Sequence, residues 1–391
     1  MVDLTVETYN LNEQDAVDRL PNRILEAAQP GTFNLRGYPT RASADSDVWR
    51  FVDAMHELGL KPDYEESLGG LTGAEFKLYQ TVARAVSEFT EARFGRRIVP
   101  KGALIRAFFA YRTIRQLSAP SDTTVFEIGP GSGFLGALLA LSGYRYAAHE
   151  IAQGFYMAQS TLWANLFPDT FVELASDPRT LVDFEELPAG TVLHVPWWKF
   201  YLVRPEEVSI RFDVATANHT LCEMQTTAFK YALRICRHSI GEPAARPKYF
   251  LVEGPGADDL RNYGQMCAEF DAAGYVTLYR EFPVDVFVPK DHSERYAIGT
   301  PADSSTDPTG GHAAERLAAD ETAPAVQGVD PSTPNRVSEA VLAGIVDLAG
   351  EKRVPFDEVH AFNVELAGGE EAVWTEDEAF MRFAYGTDHW S

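Results

Sequence analysis

The chain has 391 residues, with 45% hydrophobic and 12% aromatic side chains, and it carries a formal net charge of −23. These values predict a globular protein with a large core and more than one domain. So negative a surface repels phosphate groups, and we therefore expect no nucleic-acid partner. The longest apolar run, at 134–141, is too short to cross a bilayer, and we expect no membrane partner.

The cysteines and the N-terminus bear on the cellular compartment. Cys222, Cys236 and Cys267 are odd in number and match no zinc or disulfide spacing, which favours a reducing compartment. The first residues are acidic and lack the basic and apolar regions of a signal peptide. We expect a cytoplasmic protein that acts on a small molecule, and the sequence does not predict its oligomeric state.

Residues 1–118 are predicted to form a helical cap. Apolar side chains recur at helical spacing over 48–58. The pattern from Thr72 to Glu75 is that of a capping box, and the helix that it opens is expected to end at Gly95. A third apolar stripe at 104–117 predicts another helix.

The stretch from Thr123 to Gly136 is the part of the sequence that indicates the function most clearly. An apolar strand at 125–128 is followed by glycines at alternate positions and then by an apolar helix at 134–141. Strand, glycine turn and helix form the layout of a nucleotide-binding unit. Glycine permits the tight turn and the close approach of the backbone to a ligand.

Two cofactor patterns overlap in this stretch. The run Gly131-Ser-Gly133-Phe-Leu-Gly136 fits the dinucleotide pattern of dehydrogenases, but the turn already begins at Gly129, and Glu127 precedes it inside the strand. Glu-x-Gly-x-Gly-x-Gly resembles motif I of class I S-adenosylmethionine-dependent methyltransferases. A glycine turn with a purely structural role is the third interpretation.

The resemblance implies S-adenosylmethionine as cofactor, bound by a Rossmann-like α/β sheet. In that family the acid, here Glu127, shapes the pocket for the amino-acid end of the cofactor. The expected lining residues are Gly129, Pro130, Gly131 and Gly133. A second acid is expected at the end of the next strand to bind ribose hydroxyls, and Glu150 follows a strand at 144–149.

Helices and strands alternate through the predicted cofactor domain, residues 119–299. This alternation predicts a mostly parallel sheet with helices on both faces. The predicted helices are 153–166, 223–237 and 258–273, and the further strands are 191–195, 212–217, 249–252, 275–279 and 284–288. Glu253 is expected at the carboxyl edge of this sheet, without an assigned role.

A closer resemblance covers residues 100–240. The run from Phe212 through Asn218 to Glu223-Met224, together with motif I and Val195-Pro-Trp197, resembles a bacterial group of sugar O-methyltransferases. It implies methyl transfer to a hydroxyl group of a sugar or another small molecule. The alternatives are N- or C-methylation of a natural-product intermediate, a dehydrogenase, and a nucleotide-cofactor-binding protein without methyl transfer.

The carboxyl edge of the sheet is expected to carry the catalytic groups. His219 is the candidate general base, and Glu223 is expected to orient it or to reach the substrate. A hydrogen bond to the loop is the alternative for His219, and a favourable helix-dipole position is the alternative for Glu223. Trp197 and Trp198 are candidates for stacking on the substrate, with core packing as the alternative. Asn218 is expected to contact the cofactor or the substrate, or to cap the helix. We predict no metal site.

The remainder of the chain is predicted as a flexible linker at 300–337 and a C-terminal extension at 338–391. The extension is expected to contain a helix at 338–348 and two strands, at 360–366 and 379–385, that pair with each other.

Limited proteolysis should cut the chain first within residues 300–337. The segment 300–334 has no aromatic residue and is rich in Pro, Gly, Ser, Thr, Asp and Ala, so it cannot bury enough apolar surface to fold. Mass spectrometry of the first fragments locates the cut. A first cut elsewhere, with this segment resistant, would contradict the linker interpretation.

Overall fold

A computed structural model of the chain describes residues 4–54, 63–120, 123–240, 248–257, 259–281, 283–291 and 352–368. The predicted linker, the helix at 338–348 and the strand at 379–385 lie outside the described residues. The predicted domain limits stay predictions.

The described residues form one mixed sheet of eight strands, which confirms the predicted Rossmann-like α/β fold. The strand order is β3-β4-β2-β1-β5-β6-β8-β7. Neighbouring strands from β3 to β6 are parallel, and β8 runs antiparallel to both β6 and β7. The strands are β1 (Thr124–Ile128), β2 (Arg145–Glu150), β3 (Phe171–Glu173), β4 (Val192–Pro196), β5 (Val214–Thr216), β6 (Tyr249–Glu253), β7 (Tyr275–Glu281) and β8 (Val284–Pro289).

Strand β1 lies at the point where the strand order reverses. It pairs with β2 on one side and with β5 on the other, and all five of its residues are buried. The strands beyond β2 therefore extend the sheet in one direction from β1, and the strands beyond β5 extend it in the other. In open α/β sheets this arrangement leaves a crevice at the carboxyl ends of the strands, which is where ligands bind.

Helices cover the sheet and precede it. The α-helices of the described residues are α1 (Val6–Val17), α2 (Asn22–Ala27), α3 (Gly31–Leu35), α4 (Asp45–Asp53), α5 (Gly73–Phe94), α6 (Gly102–Leu117), α7 (Phe134–Leu141), α8 (Gln153–Leu166), α9 (Trp197–Tyr201), α10 (Thr226–Ile240), α11 (Tyr263–Ala272) and α12 (Phe356–Leu366). The helical character predicted before β1 is present in α1 to α6. None of the described helices is long and apolar enough to cross a membrane.

A capping box and a buried ion pair fix α5. Thr72 Oγ1 accepts from the backbone N–H of Glu75 at 3.2 Å, the Glu75 carboxylate accepts from that of Thr72 at 2.8 Å, and the helix ends at Gly95, as predicted. Arg112 of α6 donates to both oxygens of Glu75, at 2.8 and 2.7 Å. Both side chains are 1% exposed, so each charge depends on the other. The pair holds α5 and α6 together.

The prediction and the structure differ at four elements. The segment at 360–366 belongs to helix α12 and is not a strand, because Val359, Phe362 and Asn363 are buried at helical spacing. Strand β3 was missed, since it has only three residues at the edge of the sheet. Helix α10 begins at Thr226, because Leu221–Glu223 form a 3-10 turn, and α11 begins at Tyr263.

Candidate functional site

A cavity of about 500 Å³ opens at the carboxyl edge of β1, β2, β5 and β6. Its volume lies in the range of small-molecule sites. The opposite wall comes from residues 30–38 and from α6. Of the residues that the sequence indicated, Glu127, Gly129, Pro130, Gly131, Glu150, Asn218, His219 and Glu223 line the cavity, together with Glu253. Gly133, Trp197 and Trp198 are not part of its lining.

The turn after β1 exposes its backbone to the cavity at Gly131. Gly129, Gly131 and Gly133 have φ angles of 64°, 53° and 74°, in the left-handed region that favours glycine. A Cβ on Gly131 would meet no atom within 4 Å, whereas one on Gly129 would lie 2.5 Å from Thr220 Cγ2. The space beside Gly131 is therefore cavity, and the space beside Gly129 is filled by the loop after β5.

Glu127 is a buried carboxyl at the end of the central strand. Its side chain accepts hydrogen bonds from Asn218 Nδ2 at 2.8 Å and from the Tyr146 hydroxyl at 2.5 Å, and the residue is 2% exposed. Burial raises the pKa of Glu127 to about 7, although both hydrogen bonds lower it. Glu127 thus lines the cavity with a carboxyl whose negative charge is poorly solvated.

Glu150 closes β2 and holds the glycine turn. Its Oε2 accepts from the N–H of Gly131 at 3.2 Å and from Gln159 Nε2 at 3.1 Å. Its Oε1 accepts from the N–H groups of Ile151 and Ala152, both at 2.8 Å. Burial raises the pKa of Glu150. Four donors occupy the four lone-pair positions of the carboxylate, so a ligand hydroxyl would have to replace one of them.

The imidazole of His219 lies at the cavity and is bonded to Glu253. His219 Nε2 lies 2.9 Å from Glu253 Oε2, and 51% of the His219 side chain is exposed. The sequence indicated Glu223 for orienting His219 or for reaching the substrate; the structure shows a contact to the ring from Glu253, which arrives from β6. Asn218 links the end of β6 to Glu127 in β1, because its Oδ1 accepts from the Glu253 N–H at 3.1 Å while its Nδ2 donates to Glu127.

Glu223 is a third acid with a raised pKa at this cavity. One oxygen, Oε1, accepts from the N–H of Ala257 at 3.0 Å. Burial raises the pKa of Glu223 to about 7, while the charges of Arg36 and His219 oppose the shift. Near neutral pH the side chain can therefore either donate or accept a proton.

Trp197 and Trp198 lie in the core, away from the cavity. They are 7% and 2% exposed. Trp197 Nε1 donates to Glu13 Oε1 at 2.7 Å, and Trp198 packs edge-on against Tyr9 with ring centroids 4.8 Å apart. These contacts differ from the expected stacking on a substrate. Both rings instead hold helix α1 against α9.

The wall formed by residues 30–38 was not predicted from the sequence. Thr32 is 2% exposed, and its hydroxyl has no hydrogen-bond partner among the described residues although it lines the cavity. Phe33 packs edge-on against Phe155, with ring centroids 5.0 Å apart, beside the exit of β2. The aromatic residues within this short polar segment were the only signal for it in the sequence.

The described residues contain no group of three or more His, Cys, Asp or Glu side chains that could hold a metal ion.

No protein-family model and no curated protein sequence matches the chain. Several solved structures resemble part of it. They include a TehB-like SAM-dependent methyltransferase from Corynebacterium glutamicum, with 12% identity over 47% of this chain and 88% of that one and a TM-score of 0.32. The CcbJ methyltransferase from Streptomyces caelestis has 15% identity over 47% of this chain and 89% of that one, with a TM-score of 0.33. The magnesium protoporphyrin IX methyltransferase from Synechocystis, solved with bound SAM, has 11% identity over 67% and 97%, also with a TM-score of 0.33. Similarity of this degree does not assign a function to the chain.

The stability of the unliganded protein should depend on the ionisation of Glu127. Its pKa is about 7 in the folded state, against an ordinary value of 4.5, so the folded state binds the proton more tightly. The free energy of unfolding should therefore fall as the pH rises from 4.5 to 7, with ~3 kcal/mol of the fall due to this group. Urea unfolding at several pH values should show a smaller fall for Glu127→Gln. The exposed Glu185→Gln serves as the control, and an identical pH dependence in both variants would contradict the expectation.

Proposed function

We propose that this chain is an S-adenosylmethionine-dependent methyltransferase that acts on a small molecule, most favourably on a hydroxyl group of a sugar or a related compound. One observation carries the proposal: the glycine turn after β1 leaves open space beside Gly131, at a cavity that Glu127 and Glu150 also line. The resemblance of the same residues to motif I supports it.

The charge of the cavity favours a cationic cofactor. Glu127, Glu150 and Glu223 all have raised pKa values because their carboxylates are poorly solvated. A positively charged ligand stabilises such carboxylates, and S-adenosylmethionine carries both a sulfonium and an ammonium group. The pyrophosphate of a dinucleotide would instead meet three acids. The Gly131 N–H, which a phosphate would need, already donates to Glu150. These contacts favour the methyltransferase over the dehydrogenase.

The residues that would bind the cofactor are inferred from these contacts and from the resemblance. Glu127 and Asn218 would border its amino-acid end, and Gly129, Pro130 and Gly131 would lie along it. Glu150 would bind the ribose hydroxyls by exchanging one of its present donors. Gly133 would act through the shape of the turn, since it does not line the cavity.

When bound, the cofactor supplies a methyl group on a positively charged sulfur. The chain's own contribution is to hold the acceptor in line with that group, which lowers the barrier by proximity, and to keep water out. His219 would take the proton from the acceptor hydroxyl as the new bond forms. The wall at 30–38 would shield the reacting groups from solvent.

Polar groups on the wall of the cavity support a hydroxylated acceptor. The unpartnered Thr32 hydroxyl would gain a hydrogen bond from such a ligand, and the Glu223 carboxyl can donate or accept one. An amine acceptor is the second candidate, because an ammonium group would ionise Glu223 and pair with it. The negative net charge and the free cysteines support a small-molecule substrate and a cytoplasmic location.

Titration calorimetry should detect binding of S-adenosylmethionine to the purified protein and no binding of NAD. Gly131→Val should abolish the binding, because the new side chain would occupy the cavity. Gly190→Val is the matched control. Gly190 has a φ of 70°, and a Cβ there would also meet open space, but the residue precedes β4, at the amino ends of the strands and away from the cavity. Unchanged affinity in a folded Gly131→Val protein would contradict the assigned cofactor position.

His219→Ala should lower turnover by roughly 10²–10⁴-fold while the affinity for S-adenosylmethionine changes little. Turnover is measured as release of S-adenosylhomocysteine with a panel of sugars, other hydroxyl compounds and amines. The rate of the wild-type protein should decline toward acid pH as His219 becomes protonated, and this decline should be absent from the variant. Near-wild-type turnover in the folded variant would reject His219 as the base.

A further inference from the structure

We propose that the segment Glu253–Gly256, which begins at the last residue of β6, positions the imidazole of His219 so that Nδ1 is its proton-accepting atom. Glu253 is then a positioning residue that acts through His219. The inference rests on the proposed function for its purpose, since it concerns the group that would accept the proton. The contacts that support it are all between atoms of the protein.

The contact with Glu253 fixes which ring nitrogen carries a proton. Glu253 Oε2 lies 2.9 Å from His219 Nε2, and only 6% of the Glu253 side chain is exposed. When the Glu253 side chain is ionised it can only accept hydrogen bonds, and Nε2 then holds the hydrogen of this contact. In the neutral ring the other nitrogen, Nδ1, is then the one without a hydrogen.

Two glycines make room for His219. A Cβ on Gly254 would lie 2.5 Å from His219 Cε1 and 2.7 Å from Nδ1. A Cβ on Gly256 would lie 2.8 Å from the His219 carbonyl oxygen. Real side chains do not approach so closely, so any other residue at either position would displace the histidine. The segment after β6 is therefore shaped around His219.

The backbone of His219 is held in a conformation that few residues adopt. Its φ is 51°, and among the described residues it is the only non-glycine with a positive φ. Its N–H points at the carbonyl oxygens of Glu253 and Gly254, at 3.1 and 3.0 Å. Asn218 ties the same strand end to Glu127. Such a conformation persists where surrounding contacts determine it, and it is common at functional sites.

The charges around the ring favour its protonated form. Glu253 contacts it from the end of β6, and Glu223 interacts with it electrostatically from the turn before α10. Arg36, on the opposite wall, lies close enough to Glu223 to affect its ionisation. Removal of the Glu253 charge should therefore weaken the basicity of His219 without removing the ring.

Nuclear magnetic resonance of the full chain with ¹⁵N-labelled histidine tests the proposal, with no cofactor and no acceptor added. The His219 signals are assigned by their loss in His219→Gln. In the wild type the neutral ring should carry its proton on Nε2. In Glu253→Gln, which keeps the shape and an accepting oxygen, the measured pKa of His219 should fall by about one unit while the same tautomer persists. In Glu253→Ala the share of the Nε2–H tautomer should fall.

Gly254→Ala should change the His219 signals, whereas Gly274→Ala should not. Gly274 has a φ of 85°, but a Cβ there would come no closer than 3.8 Å to a neighbour. Unchanged His219 pKa and tautomer in folded Glu253→Gln and Glu253→Ala would overturn the proposal, as would an Nδ1–H tautomer in the wild type. A chain with the expected spectra that transfers no methyl group to any acceptor would reject the proposed function, and the positioning by Glu253 would stand.

Discussion

The buried carboxyl of Glu127 is the constraint on which the cavity depends. A carboxylate in the middle of a sheet is costly unless donors reach it, and its donors come from both sides of β1. Tyr146 reaches it from β2, and Asn218 from the exit of β5. Asn218 in turn holds the N–H of Glu253 at the end of β6. One line of hydrogen bonds therefore links groups from four neighbouring strands, β2, β1, β5 and β6, and a shift in any of them would leave a buried polar group unpaired.

The glycines in the turn after β1 and at the start of the following helix are required for different physical reasons. Of these glycines, only Gly131 would carry a Cβ into open space. A Cβ on Gly129 would meet Thr220, one on Gly133 would lie 3.0 Å from Gln159, and one on Gly136 would lie 2.5 Å from the Tyr146 ring. Most of the motif is thus required by packing of the loop after β5, of α8 and of β2 against the turn. The absence of a side chain leaves open space for a ligand only at Gly131.

The local parts of this site could be predicted from sequence, and the parts that depend on strand order could not. Strand, glycine turn and helix are neighbours in the chain, so their pattern locates Glu127. The partner of His219 was assigned to Glu223 on sequence proximity, but the 3-10 turn at Leu221–Glu223 ends before α10, and β6 brings Glu253 alongside. Trp197 and its neighbour were assigned to the substrate because an aromatic pair at a strand end has the same pattern in a core or a cleft. The burial of that pair depends on α1, whose Glu13 lies 184 residues before Trp197 and accepts a hydrogen bond from it.

The wall formed by residues 30–38 has a consequence for how the protein is made. Gly31 lies against Leu260, and Phe33 lies against Phe155, so this early segment packs on parts of the chain that are synthesised much later. On the ribosome it emerges first and must wait until β6 and the residues after it have been added. Its contacts are far apart in sequence, and such contacts form slowly. The wall at 30–38 can therefore complete the cavity only after the residues that it packs against have been synthesised.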